Sequence, residues 1–184
     1  MASLTDLQQL LAERSAKRGN FTIASGRESS LYIDARLTTM SPEGLVLIGQ
    51  LGLGALEQSG WNVQSVGGLT LGADPVAYAI AYASGLSAHF IRAFTVRKEP
   101  KSHGTAQLIE GPFATGDRVA IVEDVITTGA SALRAASAVA SHGGIIAGVL
   151  AVVDRSEGGR EALEERGFPV IALTTAADIV ARLP

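Results

Sequence analysis

The sequence predicts an α/β domain with a central, mostly parallel five-stranded sheet, helices on both its faces, and a small N-terminal lobe beside it. Three observations lead there. Apolar runs at residues 63–66, 88–91, 119–122, 145–153 and 170–173 read as strands, and the small or β-branched run at 119–122 has the pattern of a strand buried on both faces. Helical segments separate them, roughly 74–84, 130–142 and 158–166, with a last short one over 176–182, and such alternation of strand and helix makes a parallel sheet. A length of 184 residues suits one domain with a full core.

The N-terminal third lacks this alternation. Ser3 and Thr5 are candidate caps of an amphipathic helix that carries Leu4, Leu7, Leu10 and Leu11 on one stripe and is expected to end at Gly19. Residues 21–23 and 31–33 read as short strands around a turn at 25–30. Ser41-Pro42-Glu43 starts a second helix, with a cap, a proline at the first position and an acid in the first turn. That helix presents Leu45, Ile48, Leu51 and Leu56, while Gly49, Gly52 and Gly54 weaken it. Residues 1–60 are therefore expected to form the helix and accessory lobe, and 61–184 the core sheet, within one domain.

Composition excludes several classes. A net charge of −3 argues against nucleic-acid binding, which calls for a strongly basic face. With no cysteine there is neither a disulfide framework nor a thiolate metal site. The first residues are polar and no long apolar run follows, so no leader or membrane span is expected and a cytoplasmic protein is the default.

The strand at 119–122 is followed by Glu123 and Asp124, then Thr127-Thr128-Gly129 and an alanine-rich helix from Ala130. A tight small-residue turn at a helix N-terminus aims several backbone N–H groups at one point, where the helix dipole also favours negative charge. The threonine and Ser131 hydroxyls add donors, so the turn is a candidate phosphate cradle; the plainer alternative is a helix capped by Thr127 or Thr128. It is neither a Walker loop, which needs a lysine here, nor the Gly-x-Gly-x-x-Gly dinucleotide turn. The two carboxylates would repel phosphate and suit sugar hydroxyls instead. Four of the five strand ends carry turn or polar residues, at 67–68, 123–124, 154–155 and 174–175, and ligands of open parallel sheets bind at such ends.

Residues 97–104 hold Arg97, Lys98, Lys101 and His103 between two apolar runs, as at the tip of a long hairpin. Composition alone reads this as a solvated basic turn.

Two motifs carry a resemblance. Val-Glu-Asp-Val-Ile-Thr-Thr-Gly at 122–129 resembles the phosphoribosyl pyrophosphate (PRPP) motif of type I phosphoribosyltransferases. Arg97-Lys98-x-x-Lys101-x-His103-Gly104 resembles the catalytic loop of the orotate phosphoribosyltransferase family. Residues 21–34 look like that family's orotate-side segment, 66–75 like its loop beside pyrophosphate, and Asp154-Arg155 like the place where an arginine meets orotate, so the similarity covers nearly the whole chain.

The resemblance implies the type I fold with the N-terminal lobe as a hood. It also implies transfer of ribose 5-phosphate from PRPP to orotate, giving orotidine 5′-monophosphate and pyrophosphate, a step of UMP synthesis. Lys101, Glu123 and Asp124 would be catalytic, with Lys101 the principal cation. PRPP would be held by Arg97, Lys98, Lys101 and His103 and by Glu123, Asp124, Val125, Ile126, Thr127, Thr128, Gly129, Ala130 and Ser131. Orotate would meet Thr127 and Arg155, although Arg155 has a structural alternative as partner of Asp154 or Glu157. Mg²⁺ would be carried mainly by PRPP, and the enzyme would be a homodimer whose 97–104 loop reaches the partner's site. Two positions depart from the pattern: Ala24 and Gly72 stand where members often have lysine. Other readings are an adenine or other base-specific phosphoribosyltransferase, which is not expected to carry the Arg-Lys-x-x-Lys-x-His loop, and a non-catalytic PRPP-sensing regulator, which would need an added DNA-binding segment or a basic face.

Overall fold

Ser3 opens the first helix, α1 (Leu4–Arg14), by accepting from the N–H of Thr5 at 3.2 Å. Leu7 and Leu11 on its inner stripe are fully buried. α1 ends at Arg14, short of Gly19, because Ser15 turns inward, its hydroxyl 2.7 Å from that of Thr38, and Ala16 then enters a strand. The computed structural model describes residues 2–22, 28–99 and 107–183. β1 (Ala16–Thr22) and β2 (Glu28–Ile33) pair antiparallel as a separate two-stranded sheet. A four-residue helix, α2 (Arg36–Thr39), leads to α3 (Pro42–Ser59), capped by the Ser41 hydroxyl with Pro42 in the first turn.

Gly44, Gly49 and Gly52 of α3 serve contact, while Gly54 has open space beside it. A Cβ at Gly49 would stand 2.6 Å from the Ala79 carbonyl, so this helix packs backbone-close against the helix that carries Ala79. That helix, α4 (Ala73–Gly85), follows β3 (Ser65–Leu69). The chain continues through β4 (Arg92–Val96), β5 (Ile109–Glu110), β6 (Arg118–Ile126), α5 (Ala130–Ser141), β7 (Ile145–Asp154), α6 (Gly159–Glu164), β8 (Val170–Thr175) and α7 (Ala176–Val180). The sheet order is β5-β4-β3-β6-β7-β8, with every pairing parallel except β4–β5. Five parallel strands match the expectation, and β5 adds an antiparallel edge of two residues.

Successive side chains of a strand point to opposite faces, and β6 shows it. Ala120 and Val122 join the core under α1, α3 and α4, while Val119 and Ile121 join the core under α5. Cutting fully buried Ile121 back to alanine would cost about 2–5 kcal/mol. The run at 88–91 is not a strand: Phe90 is 77% exposed, and the Ser84 hydroxyl takes the Ile91 N–H at 2.9 Å. Pairing starts at Arg92, and Phe94 and Val96 are buried. No helix among the described residues is long and apolar enough to cross a membrane.

Candidate active site

The strand order turns around between β3 and β6, since β3 leads outward to β4 while β6 leads the other way to β7. Ligands of open α/β sheets bind at the carboxyl ends of the strands beside such a switch point. A cleft of about 320 Å³ lies there. One wall is Leu69, Thr70, Leu71 and Gly72 after β3; the other is Glu123, Asp124, Val125, Thr127 and Ser131 at the end of β6. Tyr32, Asp34 and Arg36 close a third side, and Lys98 and Arg155 also reach it.

The cradle is a second cavity, of about 90 Å³, formed by residues 125–132 together with Glu123. Gly129 sits at φ +75°, the left-handed region that favours glycine, and stands as the N-cap of α5 with no side-chain cap. The helix thus begins with its N-terminal end turned to the cavity and the side chains of Thr127, Thr128 and Ser131 around it. α6 holds the turn from behind: a Cβ at Gly159 would stand 2.6 Å from the Thr127 carbonyl.

Glu123 is buried, and its Oε1 has no hydrogen-bond partner. Burial and the neighbouring Asp124 charge push its carboxyl up to about 8. Asp124 is half-buried; burial raises its carboxyl too, opposed by the Val125 N–H that donates to Oδ1 at 2.8 Å. Two adjacent carboxyl groups at the end of an apolar strand are costly unless a ligand brings donors or positive charge.

The rest of the rim is fastened from below. The Thr70 N–H donates to the Val96 carbonyl at 2.8 Å. Buried Asp74 accepts from the hydroxyls of Thr70 at 2.6 Å and Thr95 at 2.8 Å, fixing the loop before α4. Asp34 takes both Nε and Nη2 of Arg36, at 2.8 and 3.0 Å, which holds its carboxyl below the usual range. The Arg155 N–H donates to the Ile126 carbonyl at 3.0 Å and so ties β7 to the start of the cradle. Its guanidinium lies against Glu157, with Nε and Nη2 each 2.7 Å from Oε1, whereas buried Asp154 takes Nε of Arg160 at 2.9 Å.

Among the residues expected from sequence, Lys98, Glu123, Asp124, Val125, Thr127, Ser131 and Arg155 share the main cleft, and Ile126, Thr128, Gly129 and Ala130 complete the cradle. Arg97 is not part of the cleft wall; its Nη1 lies 3.7 Å from Glu110 and its Nε donates to the Glu99 carbonyl. Lys101, His103 and Ala24 fall outside the described residues. Sequence reasoning gave no role to Arg36, a single arginine in no motif, or to Tyr32 and Asp34, although the segment holding those two was placed on the base side.

An acidic pair at the end of a central strand, followed by a small-residue turn and a helix N-terminus at the switch point of a parallel sheet, is the arrangement of a type I phosphoribosyltransferase. No protein-family model matches the chain. Individual proteins do. The orotate phosphoribosyltransferase of Aquifex aeolicus is 45% identical over 177 residues, 95% of this chain and 96% of its own. That of Mycobacterium avium is 46% identical over 176 residues, 96% of each. The crystal structure of the Mycobacterium tuberculosis orotate phosphoribosyltransferase in complex with PRPP superposes with a TM-score of 0.81 at 42% identity, covering 96% of this chain and 98% of that one. The chain belongs to the orotate phosphoribosyltransferase family. Adenine phosphoribosyltransferase from Leishmania donovani, at 17% identity and a TM-score of 0.65, shares the fold alone.

Proposed function

We propose that the protein transfers ribose 5-phosphate from PRPP to orotate, forming orotidine 5′-monophosphate and pyrophosphate for UMP synthesis in the cytoplasm. The observation that carries this reading is the pair of buried Glu123 and half-buried Asp124 opening onto the Thr127–Ser131 cradle. The cradle takes the 5-phosphate through backbone N–H groups, and the carboxylates take the ribose hydroxyls one step along the strand. Orotate, itself an anion, sits toward Arg155 and Thr127, on the side of the cleft that Tyr32, Asp34 and Arg36 close. Glycosyl transfer breaks the bond from C1 to the pyrophosphate oxygen, whose electron pair leaves with pyrophosphate, while a ring nitrogen of orotate forms the new bond to C1. Positive charge grows on the ribose beside Glu123 and Asp124, and negative charge grows on the leaving group beside Lys98 and the 97–104 loop. Lys101 is assigned the main cationic role there, with Arg97 and His103 as companions.

Mg²⁺ suits the donor set as an ion riding on the substrate. It keeps several waters and takes one or two carboxylates plus phosphate oxygens. Among the described residues no three metal-binding side chains cluster, but the cleft offers Glu123 and Asp124. When bound, it offsets charge on the departing pyrophosphate. Pairing with a second copy is supported by an apolar groove of about 700 Å³ between α3 and α4, bordered by Val46, Tyr82 and Leu86. It lies along α4, which begins at the cleft beside Gly72. In such a dimer the 97–104 loop serves the partner's site through Lys101, while Lys98 faces the cleft of its own chain.

Purified protein with PRPP and Mg²⁺ should release pyrophosphate with orotate and not with uracil, adenine or hypoxanthine. Turnover of adenine in place of orotate would overturn the assignment.

A further inference from the structure

We infer that Arg134 is a positioning residue: it holds the peptide of Lys98 against the cradle helix and so sets where the Lys98 ammonium meets the diphosphate end of the substrate. The inference rests on the role given to Lys98 above. β4 stops pairing just before this point. Val96 is its last partner of β5, and the Arg97 N–H still donates to the Leu108 carbonyl at 2.8 Å. Beyond it the Glu99 carbonyl takes a local bond from Arg97 Nε. The Lys98 carbonyl instead accepts from Nη2 of Arg134 at 3.0 Å, across 36 residues of sequence. Among the described residues this is the bond that fastens 98–99 to another element.

The donor comes from a telling place. Arg134 follows Ser131 by three positions on α5, so it rises from the same side of the helix one turn above the cradle. Ser131 and Lys98 both line the main cleft. One guanidinium therefore bridges the helix that grips one end of the substrate and the peptide whose side chain faces the other. A hydrogen bond from a charged donor is roughly twice as strong as a neutral one and fixes the acceptor's position. Loss of it would let the 98–99 peptide shift relative to α5 while leaving both cores intact. Arg134 is exposed, so the bond contributes little to folding.

Steady-state kinetics on Arg134→Met, Lys98→Ala and the double variant test this. Arg134→Met should lower kcat/KM for PRPP about tenfold, the scale of one charged hydrogen bond, with the orotate KM within about twofold. Its Tm should match the parent's, and Arg134→Lys should recover part of the loss. Lys98→Ala should itself lower kcat/KM for PRPP, and adding Arg134→Met to it should cost less than about twofold more, since both changes remove one effect. Multiplying losses would overturn the inference and make Arg134 a direct phosphate contact. A silent Arg134→Met, or equal changes in both KM values, would overturn it as well. A silent Lys98→Ala would overturn the role of Lys98 and the inference with it.

Discussion

Gly72 lies against the carboxylate of Asp124: a Cβ at position 72 would stand 2.5 Å from Oδ1 and 2.7 Å from Cγ. The backbone of Gly72 is right-handed, φ −62° and ψ −39°, so what glycine gives here is room. Asp124 occupies the volume into which a side chain at position 72 would grow, so a lysine there has no place with this carboxylate arrangement. Gly72→Ala should push the flexible Asp124 side chain aside and raise the KM for PRPP several-fold, with Tm nearly unchanged. An unaltered KM would show that this setting of Asp124 plays no part in gripping ribose.

Glu123 makes a pH signature. Its carboxyl sits up to about 8 against an ordinary 4.5, so between those values the folded chain holds a proton that the unfolded chain has lost. Stability then falls as pH rises through that window, the opposite of a salt-bridged carboxylate. Ribose hydroxyls donate to the ionised form and favour it. PRPP binding near neutral pH should therefore release a fraction of a proton, and affinity should climb toward pH 8. Calorimetry in buffers of differing ionisation enthalpy measures the proton count, and the same count from Glu123→Gln would sink the assignment.

Arg155 reaches the cleft with its guanidinium already oriented by Glu157. Arg155→Ala should raise the orotate KM by about ten- to a hundredfold, from loss of a charged hydrogen bond, and leave the PRPP KM nearly alone. Equal effects on the two substrates would remove Arg155 from the base side.

The shared site is tested by mixing two crippled enzymes, Lys101→Ala and Glu123→Gln/Asp124→Asn. If the loop works across the dimer, a mixed dimer has one doubly damaged and one intact site. Random exchange gives about half mixed dimers, so roughly a quarter of parental activity should return. A tagged mixture that exchanges subunits and regains nothing means that the loop serves its own subunit.

The legible parts of the fold were those whose local chemistry agreed with their tertiary place. β6 over 119–122 and β7 over 149–153 are unbroken apolar runs because both their faces are covered, and the caps at Ser3 and Ser41 act as sequence places them. The run at 88–91 misled because composition does not record exposure, and Phe90 points outward. Gly67 and Gly68 look like a turn but lie inside β3, where side chains would collide with the Phe94 and Val122 carbonyls. β5 is two residues long and exists only as a partner of β4, so no periodicity could reveal it. In the site, the contiguous 123–131 run was readable as a unit. Arg36 and Arg134 were not, since each is one arginine whose meaning comes from what folding sets beside it.

The sheet order also distributes resistance to opening unevenly. β6 has a neighbour on each side, while Lys98 leaves a strand whose outer partner is two residues long. Amide exchange should thus be slowest at 119–123 and much faster around 109–110 and 97–99. In mild urea the half of the site that handles the leaving group should loosen while the half that holds the sugar keeps its shape. The enzyme would then lose turnover before it loses its grip on ribose 5-phosphate, failing first as a catalyst and only later as a receptor.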